Sequence, residues 1–207
     1  MHTERGFDRL VNFSDAVVAI AITLLILPLV DTATELNDKT VSELLADNWV
    51  KLLVFVISFA VIGRFWLAHH RMYENIVGYD KPLLWANLFW LLTIVFLPFP
   101  TELIAAGAGE SSPATSALYI GTMVLSSFAG TAQMMIILRH PELQAPEVRG
   151  TLSLIPTLVA SSMMLLVFLV VVVFPEVGLF ALLGLVLTGP VQAVVQRLSK
   201  RAKAPAV

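Results

Sequence analysis

Asp15, Arg64, His69, His70 and Asn87 are the residues of this chain best equipped for chemistry, and all of them border or interrupt apolar runs. A carboxylate within reach of imidazoles can exchange protons with them, and imidazoles with carboxylates can hold a metal ion. Spacing narrows the choice. His69 and His70 are neighbours, and neighbouring helix positions point about 100° apart, so the pair does not readily share one ion. Structural hydrogen bonding is the leading expectation, proton sensing follows, and metal binding comes last; no metal site and no cofactor are expected. The chain has no cysteine, which excludes thiolate ligands, Cys nucleophiles and disulfides. It also lacks His-Glu-x-x-His, a nucleophile motif and a phosphate-cradling glycine loop, so an enzyme is not expected.

Asp15 stands near the start of FSDAVVAIAITLLILPLV, Phe13 to Val30. One reading makes this a helix start, with Asn12 as N-cap and Asp15 accepting from backbone N–H groups of the first turn. The other makes it a buried acid. A charge at the bilayer centre costs about 2.5–3.5 kcal/mol on insertion scales, so it faces protein or water and is paired. Partners exist at the same depth: the second run ends in GRFWLAHHRMYE, carrying Arg64, His69 and His70, and the third begins near Trp85 and Asn87.

These runs are the elements that must position the cluster. Apolar residues make up 57% and charged residues 14% of the 207 positions, against roughly 45–50% and 25% in soluble domains. The chain reads as an all-α integral membrane protein, one domain over residues 1–207, with spans expected at about 13–30, 50–69, 82–104, 116–138, 152–174 and 177–196. At about 1.5 Å per residue, runs of this length cross a hydrocarbon core about 30 Å thick. The first run reads as a retained span and not a cleaved signal: Glu4 and Asp8 accompany Arg5 and Arg9 before it, Asp15 lies inside it, and no small-x-small site follows Val30.

Lys and Arg fall on alternate connections. Arg5, Arg9, Arg71, Lys81, Arg139, Arg149, Arg197, Lys200, Arg201 and Lys203 lie on one side, against Lys39 and Lys51 on the other. The positive-inside rule therefore places both termini in the cytoplasm. The opposite connections are acidic. The longest, Asp31 to Lys51, reads as an outer amphipathic turn or helix, and Gly107 to Pro113 and Phe174 to Glu176 read as tight outer turns. Membrane lipids and monovalent cations are the expected partners, with no nucleic acid. No convincing internal repeat supports an inverted-repeat carrier.

At roughly 100° per residue, Arg9, Phe13, Ala16, Ile20, Thr23, Leu24 and Leu27 share an arc of about 100° on the first helix. Asp15 points elsewhere, toward Ala19, Ile22 and Ile26. Taken alone, the stripe reads as ordinary helix packing.

Arg9 to Asp15 reads R-x-x-x-F-S-D and runs into AVVAIAITLLILPL; the second span contains FWLAHHRMY and the third NLFWLLTIVFLPFPT. This first half of the chain resembles the transmembrane protein 175 family, the endolysosomal potassium channels and their bacterial relatives. The resemblance implies a six-helix protomer without a P-loop filter, assembled as a homotetramer in a bacterial plasma membrane, with the first helix lining a central pore. Ile20, Leu24 and Leu27 would then be hydrophobic constrictions, and Thr23 would present a hydroxyl to permeant K⁺. Arg9, Phe13, Ser14, Asp15, His69, His70 and Asn87 would form the signature and its structural network, with Asp15 an anchor to Ser14, His69 or a neighbouring helix and Arg9 supporting it. Stacked apolar rings can close by dewetting, and without a carbonyl-lined filter the preference for K⁺ is expected to be modest. Val18 departs from the family, where a larger residue is frequent, but lies off the stripe. The rival reading is a proton-coupled or other secondary transporter using the Asp15, Arg64 and His69/His70 cluster as a relay.

Overall fold

The computed structural model describes residues 4–32, 40–107 and 112–174, and all its regular structure among them is helical. The helices are α1 (Glu4–Leu24), α2 (Leu27–Thr32), α3 (Val41–Asp47), α4 (Trp49–Tyr73), α5 (Lys81–Phe96), α6 (Pro98–Ala106), α7 (Pro113–Arg139) and α8 (Ile155–Val173). By length and composition, five segments can cross a membrane: 5–32, 49–73, 81–106, 113–139 and 155–173. The sixth expected span, at 177–196, lies outside the described residues, as do the turn after Phe174 and most of that between Gly107 and Pro113.

Local chemistry sets the ends. Asp80 Oδ1 accepts from Leu83 N–H at 2.8 Å with Pro82 in the first turn of α5, and Ser112 Oγ accepts from Thr115 N–H at 3.2 Å ahead of Pro113. The expected outer segment forms α3, held by a capping box in which Thr40 and Glu43 satisfy each other's backbone N–H. Two spans are broken by proline. Pro28 has no N–H to give to Leu24, and the chain tightens before it, with Leu25 N–H on Ile22 O at 3.3 Å and Ile26 N–H on Thr23 O at 3.4 Å. Pro98 divides α5 from α6 in the same way at buried Leu97.

The first helix starts earlier than the apolar run. It is continuous from Glu4, so Asn12 is no N-cap and Asp15 lies in the helix interior. The cause is tertiary: Leu10 is buried with Tyr73 and Leu83, and Phe7 and Val11 pack against them, so the polar lead-in is held helical by distant partners.

α7 is the central element, flanked by α5 and α8, with Trp90, Tyr119, Ile120 and Met123 in the core. Hydroxyls tie the helices together: Ser58 with Tyr119 at 2.9 Å, Thr101 with Ser58 at 3.1 Å, Ser126 with Thr93 at 2.8 Å and Thr131 with Ser161 at 2.7 Å. Such bonds contribute about 0.6 kcal/mol each on average between membrane helices. At one end, Val77 N–H reaches Leu143 O and Ala145 N–H reaches Asn75 O, both at 2.9 Å, while Phe7 stacks on Tyr73. The start of α1 and the α4–α5 and α7–α8 connections thus share an end. They bring Arg5, Arg9, Arg71, Lys81, Arg139 and Arg149 together there.

Candidate functional site

α1 has two faces. Leu10, Ser14, Val18, Ala21 and Leu25, at steps of four, four, three and four, are buried against α4 and α5. The opposite side carries Arg9, Phe13, Ala16, Ile20, Thr23 and Leu24, Leu27 follows at the start of α2 beyond the Leu25–Ile26 turn, and every one of these is exposed. Ile20 is 59% and Leu27 52% accessible, so the aliphatic stripe is not the packing face within one protomer. Val18, the position departing from the family wording, belongs to the buried face at 2%.

Thr23 sits among these aliphatic residues with its hydroxyl donating to Ile20 O at 2.8 Å. A hydroxyl has one hydrogen and two lone pairs, so spending the hydrogen on the backbone leaves the oxygen as an acceptor on the exposed face. Such an oxygen can replace a water of hydration on a cation.

The buried face is fastened by a directional hydrogen-bond chain. His69 Nε2–H donates to Asn87 Oδ1 at 2.8 Å, Asn87 Nδ2–H donates to Ser14 Oγ at 2.8 Å, and Ser14 Oγ–H donates to Leu10 O at 2.9 Å. The direction follows from chemistry, because the amide oxygen can only accept and the amide nitrogen only donate. All three side chains are buried, Asn87 fully. The His69 ring lies between Tyr73 and Trp90, with centroids 4.0 and 4.2 Å away, and Tyr73 O–H donates to Gln133 Oε1 at 2.8 Å. One connected set therefore joins α1, α4, α5 and α7.

Asp15 takes its partner from a neighbouring helix, one of the anchors expected for it. Its Oδ1 accepts from Trp66 Nε1–H at 2.8 Å, a direct link from α1 to α4. Ser14, and not Asp15, reaches the Asn87–His69 pair. Arg9 is exposed on the far side of α1 from Ser14, and none of the bonds in the chain involves it. The two histidines part as adjacent helix positions should. His70 is partly exposed, with its ring 5.2 Å from Trp66 and Nε2 3.4 Å from Glu74 Oε1. Sequence reasoning passed over Trp66, Trp90, Tyr73 and Gln133 as site residues. The available signal was a lone indole donor one turn before His69 and His70.

The arrangement suits holding more than proton transfer. A relay from His69 to α1 would have to pass through Asn87, whose amide does not take up and release protons under ordinary conditions. Among the described residues no group of three or more His, Cys, Asp or Glu side chains could hold a metal ion. What remains is a rigidly fixed helix presenting an aliphatic ridge with a single hydroxyl.

Comparison with known proteins places the same residues in context. The model of the family described as endosomal/lysosomal potassium channel TMEM175 matches residues 9–98, from the arginine of the signature to the proline that breaks the third span. A potassium channel of Streptomyces collinus is 32% identical over 150 residues, which cover 69% of this chain and 72% of that protein. A potassium channel of Chamaesiphon minutus is 38% identical over 99 residues, about half of each chain at 47% and 48%. The endosomal/lysosomal proton channel TMEM175 of Homo sapiens is 34% identical over 102 residues, 47% of this chain and 19% of that one. Among solved structures, a lysosomal potassium-selective channel TMEM175 homolog from Chamaesiphon minutus superposes with a TM-score of 0.61 at 22% identity, covering 97% of this chain and 100% of that one. At that identity the likeness shows a shared fold.

Proposed function

The chain belongs to the TMEM175 family, whose members are ion channels and not enzymes, and from that premise we propose that it conducts potassium passively through a pore built by its first helix. Four copies meet about an axis with the exposed faces of α1 turned inward. Ile20, Leu24 and Leu27 form stacked rings there, and Thr23 supplies the hydroxyl ring between the first two. Each protomer has six spans, with both termini in the cytoplasm of a bacterial cell. The observation that carries this reading is the split in α1, where the aliphatic stripe is left open by its own protomer while the opposite face is bonded to α4 and α5.

The physics follows from that split. A narrow aliphatic ring offers water no hydrogen bonds, so the conduit empties when tight and wets after slight widening. Acceptor oxygens of Thr23 replace part of the hydration shell of K⁺ at lower cost than that of the more strongly hydrated Na⁺, which gives a modest preference. The carrier alternative finds less support, because the histidine and aspartate it needs are engaged in fixed bonds to Asn87 and Trp66.

The test is ion flux from liposomes holding the purified protein. K⁺ should move down its gradient without saturation or a coupled ion, and Thr23→Val should bring K⁺ and Na⁺ rates closer together. Saturable, obligately coupled transport abolished by His69→Gln would establish the carrier instead. Since several relatives are described as proton channels, H⁺ flux belongs in the same experiment.

A further inference from the structure

On the other side of the bundle from α1, a cavity of about 620 Å³ opens between α4, α7 and α8, within the 300–1,000 Å³ usual for ligand sites. Its lining changes with depth. Arg71, Asn75, Thr151 and Ser153 stand at the basic end, and further in Phe65 and Met164 line it together with Arg64, Ser126 and the mutually bonded Thr131 and Ser161. From Arg71 to Val61, the lining residue most distant on α4, is about 15 Å along the helix. No Asp or Glu lines it, while Arg64 and Arg71, seven residues apart and hence on one face of α4, both do.

The two glycines of α7 sharpen the point. A Cβ built at Gly121 would come 3.3 Å from the Phe168 ring, so that glycine permits close packing of α8. At Gly130, which lines the cavity, a Cβ meets nothing within 4 Å. The space there is open, not a requirement of helix contact.

We propose that this cavity binds one anionic phospholipid, its phosphate at Arg71 and an acyl chain running inward past Phe65 and Met164. A guanidinium pairs with phosphate oxygens through two parallel hydrogen bonds, and basic pockets between spans draw anionic headgroups. The hydroxyls of Thr151 and Ser153 serve the ester and glycerol oxygens, and Phe65 and Met164 give the acyl chain apolar contact further in. The site does not depend on what α1 encloses.

The full chain carrying Leu67→p-benzoylphenylalanine, at the open edge of the cavity, in vesicles of phosphatidylcholine with phosphatidylglycerol, is irradiated and weighed intact. Adducts should favour phosphatidylglycerol about tenfold over its share of the bilayer, a free-energy preference of about 1.4 kcal/mol. Arg71→Gln should abolish the preference. In native mass spectrometry of the otherwise unaltered chain, Arg71→Gln should likewise lose the retained phosphatidylglycerol, and Gly130→Leu should lose it by filling the space. Labelling in proportion to bilayer composition overturns the proposal, as does an adduct to residues 175–207 or to a second copy. Displacement of phosphatidylglycerol by millimolar inorganic phosphate would also overturn it, showing that the arginines bind a soluble anion.

Discussion

At the scale of single residues, the site is a set of obligate donors and acceptors whose removal has unequal consequences. Asp15→Asn keeps the Oδ1 acceptor for Trp66 and should leave thermal stability in detergent close to that of the parent. Asp15→Leu strands the indole N–H and should cost about 1–3 kcal/mol, as expected for one orphaned polar group. Trp66→Phe in the Asp15→Leu background should then add little, so a double-mutant cycle on melting temperature shows whether the two act as a pair. Asn87→Leu should be the most damaging, because it strands the His69 N–H at about 1–3 kcal/mol and removes the bond that ties Ser14 of α1 to α5. Were Asn87→Leu to melt like the parent protein, the chain from His69 to Ser14 would not be what holds α1.

At the scale of elements, prolines decide where spans break and helix faces decide what each span meets. Pro28→Ala restores an N–H able to donate to Leu24 O across the Leu25–Ile26 turn, and α1 should then run straight into α2. Under the proposed pore this narrows the outer vestibule, so single-channel K⁺ conductance should fall; an unchanged conductance would detach the break from permeation. Much of this level was legible in the chain itself, since apolar runs mark spans, Pro28 marks a bend, and a 3.6-residue period separates Ile20 from Asp15. The start of α1 at Glu4 was not, because Phe7 and Leu10 are held by Tyr73 and Leu83, far along the chain. The Trp66–Asp15 bond was hidden for the same reason, as its partners stand 51 residues apart and only the crossing of α1 over α4 joins them. Ser14 and Asn87 were named as network members, yet their order in the chain depends on geometry that no spacing encodes.

At the scale of the whole molecule, one protomer leaves Ile20, Leu24 and Leu27 uncovered, and the proposed tetramer gives that face its partner. Light scattering of the protein in mild detergent, corrected for the micelle, should give four times the 22.6 kDa chain mass. A monodisperse single protomer would remove the shared axis on which the pore depends. Permeation itself provides the most direct test. Potassium efflux from liposomes should be compared for the parent protein, Ile20→Asn on the stripe, and Leu92→Asn on the exposed surface of α5. If Ile20 forms the constriction, its replacement by Asn should wet it and raise the flux about tenfold or more, equivalent to lowering the barrier by about 1.4 kcal/mol, while Leu92→Asn changes nothing. Equal flux from all three proteins would contradict the assignment of the exposed α1 face to the pore.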